Sequence, residues 1–366
     1  MNESQNERRN LGRTRLSPSK VALFLLLCWC GLLIACGGGS PGASQNGASQ
    51  QFDFFRIVDA EDNPVTIHYA YAPSIILKAN VYHVFFCSGG NISPAWDYVR
   101  YVKSTDGGKT WSTPVDMLHG NTELGACDPS VVSYQGFYYM FFSSAYSTAA
   151  NVYQTIIQVA RSVSIDGPYL TYTKRGTWED TPSDPQTIIY PLIKQTQNPP
   201  GYGAGQQTVV AHDGELLMWY CDDSQSPQEI TTGFSGFKIF MLQSTDPVSW
   251  TPAAGNATNV DGVDSVDVKY DAASNQFVMT HVGPAFTSRE SLTRYYSSDG
   301  MTWGPAQTVI GPANFPPYAH NVGVAGDEQG NTLAASTLVA FGASLGLAHV
   351  LTLNYYDLYG VFVDPP

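Results

Sequence analysis

Charged side chains are scarce in this sequence: they make up 13% of 366 residues, and 31 acidic residues outnumber 18 basic ones. Disordered chains and coiled coils both depend on many charged residues, so neither class fits a chain in which 13% of the residues are aromatic. The formal net charge of −13 would repel a phosphate backbone. We therefore expect no nucleic-acid partner.

Several motifs of well-known chemistry are absent. The sequence contains no Cys/His cluster with zinc spacing, no P-loop, no dinucleotide-binding glycine pattern and no nucleophile elbow. The one long apolar run, residues 21–35, has 15 residues and is too short to span a bilayer comfortably. The length of the chain excludes a small disulfide-stapled fold and suffices for one large domain or two ordinary ones.

Residues 1–35 have the organisation of a signal peptide. Basic residues precede the apolar run, which ends in Leu33-Ile34-Ala35-Cys36 and resembles the bacterial lipobox. The resemblance implies that Cys36 is lipidated and becomes the new amino terminus; the alternative is an ordinary secretory signal with a chance cysteine. Residues 36–50, rich in Gly, Ser and Gln, would then form a flexible tether to a domain that covers residues 51–366.

This amino terminus predicts a lipid-anchored protein of the cell envelope with a membrane as one partner. Gly37 follows the cysteine where an Asp would signal retention at the inner membrane, so the outer membrane is favoured if the host is Gram-negative. Export to an oxidising compartment allows one disulfide among Cys87, Cys127 and Cys221 and leaves at least one of them unpaired. Buried free thiols are the alternative.

Self-similar segments recur along residues 51–366. A short apolar strand begins five times, at positions 56 to 78 residues apart: Ala72, Asp128, Gln206, Asp264 and Asn321. A more hydrophobic second strand follows each one, for example FYYMFF from Phe137, ELLMWYC from Glu215 and TLAASTLV from Thr332. Repeats of this length, with strands in every unit and no helical periodicity, predict an all-β, five-bladed β-propeller with four antiparallel strands per blade.

A turn motif recurs between later strands of these repeats. STDGGKTW from Ser104 resembles the Asp box of sialidases and other propellers, and shorter versions contain Asp166, Asp246 and Asp299. Asp106 can accept N–H bonds from its own turn, so we interpret the motif as structural. Residues 52–58 are expected to supply an outer strand that closes the ring against the last blade. The insertion at residues 174–203 is expected to be a loop over one face.

The innermost strands of a propeller surround a central channel, so their starting residues line a shared polar funnel. Chain reversal brings the ends of the second strands to the same face. We therefore predict a ligand-binding funnel that is lined by residues of these two groups and by aromatic side chains in nearby loops. The predicted substrate-binding residues are Gln206, Asn321, Asp222, Asp223, Trp96, Tyr202 and Tyr318.

The second blade carries a family resemblance. DPSVVSYQGFYYMFFSS from Asp128 and ARSVSIDGPY from Ala160 resemble five-bladed propeller glycosidases of the glycoside hydrolase family 43 type, which include arabinanases, xylosidases and the family 32 and 117 enzymes. The resemblance implies that Asp128 tunes a neighbouring pKa and orients the sugar. The positions of the general base and general acid in that family are occupied here by Ala72 and Gln206, which do not titrate.

An alternative catalytic pair is Asp128 with Asp264, provided that their surroundings separate their pKa values. Some relatives in that family hold a calcium or sodium ion in the channel near a histidine, and His320 matches that place. Oxygen ligands suit such an ion. The other interpretation of His320 is a neutral side chain bonded to a neighbouring blade.

Three functions fit these features. The first is a surface lipoprotein that hydrolyses glycosidic bonds of an oligo- or polysaccharide in the funnel. The second is a carbohydrate-binding propeller that has lost its general acid and base. The third is a scaffold that contacts another envelope protein. Whether the protein is an enzyme therefore stays open at the level of sequence, because Ala72 and Gln206 stand at the expected catalytic positions.

Overall fold

A computed structural model describes residues 52–59, 69–89, 97–119, 125–150, 152–196, 202–224, 237–284, 290–344 and 356–366. The signal segment, the tether with Cys36, and Trp96 lie outside these ranges. The described residues form five antiparallel sheets, which confirms the predicted five-bladed β-propeller. Their helical content is a three-residue 3₁₀ turn at Ala254–Asn256, so no described helix could span a bilayer.

Each blade has an inner strand, two middle strands and an outer strand, and the second blade adds a short fifth strand. The strands are β2 (Ala70–Lys78), β3 (Val81–Gly89), β4 (Asp97–Ser104) and β5 (Val115–His119) in blade one; β6 (Cys127–Tyr134), β7 (Phe137–Ala149), β8 (Val152–Ser162), β9 (Leu170–Tyr172) and β10 (Trp178–Glu179) in blade two; β11 (Ala204–His212), β12 (Glu215–Asp222), β13 (Lys238–Ser244) and β14 (Ala257–Asp261) in blade three; β15 (Val266–Asp271), β16 (Gln276–Gly283), β17 (Ser291–Ser297) and β18 (Gln307–Ile310) in blade four; and β19 (Ala319–Val324), β20 (Thr337–Ala343), β21 (Asp357–Val363) and β1 (Phe55–Val58) in blade five.

The second strands are buried along nearly their whole length, as their hydrophobic sequences predict. Strands β3, β12 and β16 each have one partly exposed residue at the start and buried residues thereafter. A hydrophobic cluster fills the space between each pair of adjacent blades, with Phe85, Phe141, Trp219 and Phe341 fully buried in four of them. Burial of apolar surface between blades therefore holds the ring together.

Both ends of the propeller domain meet in the last blade. Strand β1 pairs antiparallel with β21, with Phe55 opposite Gly360, so the ring closes as predicted. The second strand of this blade is β20, which begins at Thr337. The prediction of a strand from Thr332 is therefore wrong, because Thr332 belongs to a loop that bonds to blade four through Tyr270.

That loop, residues 325–332, crosses the channel, and we call it the cross-channel loop. Its carbonyl oxygens accept hydrogen bonds from the inner strands of four blades. The donors are the N–H groups of Leu77, Ser133, Ala211 and Tyr270, and the acceptors are Gly326, Glu328, Gln329 and Gly330. All four donors lie at or near the end of an inner strand. The loop therefore closes the channel on the face opposite the starts of the inner strands.

The full-length turn motif of the first blade is built as predicted. Asp106 accepts hydrogen bonds from the backbone N–H of Lys109 (3.1 Å) and Thr110 (2.9 Å) and from the hydroxyls of Ser104 and Thr110. These bonds, led by the Thr110 hydroxyl, lower the pKa of Asp106 to about 2. The motif thus fixes the turn between β4 and β5.

Candidate active site in the central funnel

Four of the five predicted inner-strand positions share an unusual backbone. Ala72, Asp128, Gln206 and Asn321 have φ values of 51°, 46°, 51° and 50°, and each lies where the pairing register with the next strand shifts. Asp264 precedes β15 and does not share this conformation. A left-handed conformation is strained for a residue with a side chain, and such strain with β-bulges clusters at functional sites.

Asp128 is the central carboxyl group of the funnel. Its side chain is buried, and the Tyr202 hydroxyl donates a hydrogen bond to Oδ2 at 3.0 Å. Burial raises the pKa of Asp128 to about 6, and the charges of Asp97 and Asp264 raise it further, while hydrogen bonds from Ser143 and Tyr202 oppose the shift. Asp128 therefore keeps its proton to higher pH than an exposed aspartate.

Asp97 is a second carboxyl group of the funnel, which sequence reasoning missed. It begins β4, accepts a hydrogen bond from the Tyr69 hydroxyl, and has its pKa raised by burial to about 6. Its backbone carbonyl accepts a bond from Ala126 N–H at 2.7 Å. A Cβ on Gly125 would lie 2.0 Å from that carbonyl oxygen. Gly125 is thus the one local signal that the chain approaches Asp97 closely.

A disulfide lies beside these two carboxyl groups. Cys87 at the end of β3 and Cys127 at the start of β6 are bonded, which joins blades one and two, and Cys221 is a buried free thiol. An Asp97 oxygen lies within 4.8 Å of both sulfurs, and Cys127 Sγ lies 3.5 Å from Asp128 Oδ1. Because both distances run to the Cys127 sulfur, an oxygen of Asp97 and one of Asp128 lie less than ~9.5 Å apart, which is the upper limit for the two carboxyl groups of an inverting glycosidase.

The grouping of Cys87, Asp97 and Cys127 is not a metal site, because sulfurs in a disulfide are not thiolate ligands. Oxygen donors lie elsewhere around the channel. Within the described ranges, Gln206 Oε1 and Asn321 Oδ1 are buried and have no hydrogen-bond partner. Together with nearby carboxylates, such oxygens suit a hard cation such as calcium or sodium.

His320 and Asp264 form a buried contact in the fourth and fifth blades. His320 Nδ1 lies 3.5 Å from Asp264 Oδ2, and the two side chains are 11% and 5% exposed. Burial lowers the pKa of His320, and the Asp264 charge opposes that effect. His281 lies nearby and places Nδ1 3.0 Å from the Ser265 carbonyl oxygen. His320 thus has a carboxylate partner in a neighbouring blade.

The two aspartates at the end of β12 contact backbone rather than open space. Asp223 accepts hydrogen bonds from the N–H groups of Tyr202 and Gly203, both at 2.8 Å. Asp222 accepts bonds from Leu192 (2.9 Å) and Ser224 (2.8 Å). Both therefore hold the inserted segment against blade three, and Asp223 positions Tyr202. A direct contact of either one with sugar stays a prediction.

The remaining predicted residue of the funnel is Tyr318. It lies directly before β19, is half-buried, and donates its N–H to Glu290 Oε2 at 3.0 Å. Glu290 is buried and was not singled out from the sequence. The structure therefore brings Asp128, Asp97, Tyr202 and the disulfide together on one side, and His320 with Asp264 on another.

No protein-family model and no curated protein matches this chain. Solved structures match most of its length. The catalytic domain of a GH62 α-L-arabinofuranosidase from Coprinopsis cinerea has 13% identity and a TM-score of 0.58, with coverage of 86% of this chain and 96% of that chain. A family 117 glycoside hydrolase from Zobellia galactanivorans has 14% identity and a TM-score of 0.55, with coverage of 86% and 90%.

A thermostable family-43 glycoside hydrolase has 14% identity and a TM-score of 0.53, with coverage of 83% of this chain and 91% of that chain. At these identities the likeness shows the fold. It confirms the resemblance to five-bladed propeller glycoside hydrolases that the second-blade motifs indicate.

Proposed function

We propose that this protein hydrolyses glycosidic bonds of an oligo- or polysaccharide in the funnel, with Asp128 as general acid and Asp97 as general base. One observation carries the proposal: a buried carboxyl group, Asp128, and a half-buried one, Asp97, both lie close to the Cys127 sulfur, and each has a pKa of about 6. A protonated carboxyl group can donate to the leaving oxygen, while an ionised one deprotonates a water on the other side of the scissile bond.

The roles follow from the surroundings of each carboxyl group. Burial raises the pKa of both groups, and hydroxyl hydrogen bonds oppose this rise in both, from Ser143 and Tyr202 at Asp128 and from Tyr69 at Asp97. Only Asp128 also has its ionisation opposed by the charges of Asp97 and Asp264. Asp128 is therefore the member of the pair that keeps the proton. This assignment departs from the family resemblance, which gives Asp128 the role of tuning another group.

A hard cation would be held by Gln206 Oε1, Asn321 Oδ1 and the carboxylate of Asp264. When bound, it would supply positive charge that attracts sugar hydroxyl oxygens. The protein's own groups carry the proton transfers: the Tyr202 hydroxyl orients Asp128, and the Tyr69 hydroxyl orients Asp97.

The test is hydrolysis of a panel of aryl glycosides and plant or marine polysaccharides. We expect Asp97→Asn and Asp128→Asn each to lower kcat by at least about 100-fold, because each removes one proton-transfer group. Asp180→Asn, an exposed change in the insertion, is the matched control and should retain full activity. Loss of turnover in Asp264→Asn with full activity in Asp97→Asn would instead identify Asp128 and Asp264 as the pair.

Binding without turnover is the second candidate function. It is favoured by the neutral residues Ala72 and Gln206, which occupy the same strained backbone position as Asp128 in blades one and three. This function predicts glycan binding with no product from any substrate of the panel. Glycan-dependent protection against thermal unfolding, together with the absence of product, would support it over hydrolysis.

We also propose that Cys36 carries the lipid that anchors the protein to the envelope. The proposal is supported by the basic segment, the apolar run and the Leu33-Ile34-Ala35-Cys36 sequence. Cells that express the full chain should incorporate an alkyne-tagged fatty acid into it, and the protein should sediment with membranes. Cys36→Ser should abolish both properties; persistence of label in this variant would place the lipid elsewhere.

A further inference from the structure

A cavity lies between blades two and three on the face opposite the funnel. Its volume is about 430 Å³, and its lining includes Gln135, Tyr139, Arg161, Tyr172, Trp178 and Asp246. Asp128 stands at the start of β6 in the funnel, whereas Gln135 follows the end of the same strand. The cavity is therefore separated from the funnel by the full length of an inner strand. A volume of this size is typical of small-molecule sites.

Arg161 packs against aromatic rings at this cavity. Its Cζ atom lies over the ring of Phe137, 4.4 Å from the centroid, and over that of Trp178, 4.3 Å from the centroid. Tyr172 supports Trp178 from the other side at a centroid distance of 4.9 Å. Stacking uses the faces of the guanidinium and leaves its N–H donors at the edge available.

The donors of Arg161 have no acceptor in the described part of the chain. Every other arginine there has one: Arg56, Arg100 and Arg175 pair with carboxylates, and Arg294 donates to the Asp364 carbonyl. Asp246 also lines the cavity, but its Oδ1 accepts the Val248 N–H of its own turn at 3.1 Å. A planar fork with no partner among the described residues fits a ligand carboxylate in bidentate geometry.

We propose that this cavity binds a uronic acid residue of the glycan on which the funnel acts. The carboxylate of the sugar would pair with Arg161, and its ring would lie beside the aromatic wall of Tyr172 and Trp178. Tyr172 and Thr245 add hydroxyl groups to the lining, which suits a polyhydroxylated ligand. The inference rests on the proposed function only in that it takes the ligand to be a glycan.

Isothermal titration of the purified protein with trigalacturonate tests the site, and the methyl ester of the same trisaccharide provides a neutral matched ligand. We expect the acid to bind and the ester to bind at least about tenfold more weakly. Arg161→Gln should weaken binding of the acid by a similar factor and leave the melting temperature close to that of the wild type. Arg175→Gln, which removes an exposed, paired charge nearby, is the control and should bind like the wild type.

Equal binding of acid and ester, or unchanged affinity in Arg161→Gln, would overturn the inference. Equal loss in Arg175→Gln would also overturn it, since this would reveal general charge attraction. Binding of a peptide through its terminal carboxylate, with no binding of trigalacturonate, would overturn the inference as well. Hydrolysis assays on the same variants separate the two proposals: Arg161→Gln should retain cleavage of small aryl glycosides, and Asp128→Asn should retain uronate binding.

Discussion

Asp128 is a residue on which three unfavourable conditions act at once. Its backbone has a φ of 46°, its side chain is buried, and the charges of Asp97 and Asp264 oppose its ionisation. A fold selected for stability alone would place a neutral residue there, as blades one and three do with Ala72 and Gln206. Conditions of this kind are characteristic of functional positions.

Replacement of Asp128 should therefore stabilise the protein above neutral pH. In the folded state the pKa is near 6 rather than 3.8, so folding favours the protonated form. The stability cost is small below about pH 4, grows as pH rises, and is complete above about pH 6. We expect Asp128→Asn to raise the free energy of unfolding by about 3 kcal/mol at pH 7.5 and by about 0.5 kcal/mol at pH 4. Urea unfolding at both pH values measures this; an equal effect at both would contradict it.

Some carboxyl groups of the funnel could be predicted from the sequence and others could not. Asp128 could be identified because it begins one of the five repeated first strands and lies in a family motif. Asp97 could not, because it begins a third strand, and the patterns compared across the blades concerned the first and second strands and the turn after the third. Asp222 and Asp223 stood at the predicted place, but their backbone partners come from a segment 20 to 30 residues earlier in the chain, which no local pattern reveals.

Among the elements, the disulfide between β3 and β6 has the clearest energetic consequence. It closes a chain segment with a sequence separation of 40 residues and joins two blades beside Asp97 and Asp128. The Tyr71 hydroxyl lies 3.2 Å from the Cys127 sulfur and packs in the same cluster. Loss of this bond would therefore affect both the stability of the ring and the placement of the two carboxyl groups.

We expect the double variant Cys87→Ser, Cys127→Ser to lose about 2–5 kcal/mol of stability relative to the oxidised wild type. Reductant should lower the stability of the wild type toward that of the double variant, and it should leave the stability of the double variant unchanged. Cys221→Ser is the control: because this thiol is unpaired, the variant should respond to reductant as the wild type does. Urea unfolding with and without dithiothreitol measures all three, and a double variant as stable as the wild type would contradict the expectation.

The strands themselves could be predicted well because each blade repeats the same physical requirement. A second strand must be apolar on both faces, and this produced recognisable segments in blades one to four. The start of this strand was predicted wrongly in blade five, where Thr332 is the last residue of the cross-channel loop and β20 begins only at Thr337. The partners of this loop lie in the other blades, so local hydrophobicity could not assign it.

For the molecule as a whole, the cross-channel loop acts as a tie among blades. It leaves the inner strand of blade five and receives hydrogen bonds from the inner strands of the other four. Asp327 stabilises the loop from within: Oδ1 accepts bonds from Gln329 N–H (2.9 Å) and Asn331 N–H (2.8 Å), and Oδ2 accepts one from Asn331 Nδ2 (2.8 Å). A substitution at Asp327 should therefore lower the stability of the entire ring.

Asp327→Ala should lower the free energy of unfolding by about 1–3 kcal/mol, because it removes three hydrogen bonds within the loop. The unfolding transition should stay single, since the loop bonds to all of the other blades. Asp180→Ala, at an exposed position, is the control and should change stability little. Calorimetry measures both; the appearance of two transitions would show instead that the blades unfold independently of the loop.

The same loop limits how a polymer can enter the molecule. With the far side sealed by hydrogen-bonded backbone, a polysaccharide cannot be threaded through the ring and processed as it slides. A chain reaches the funnel only from the open face, and its product must leave by the way it came. Substrate entry and product release through a single opening are the consequence of this closure.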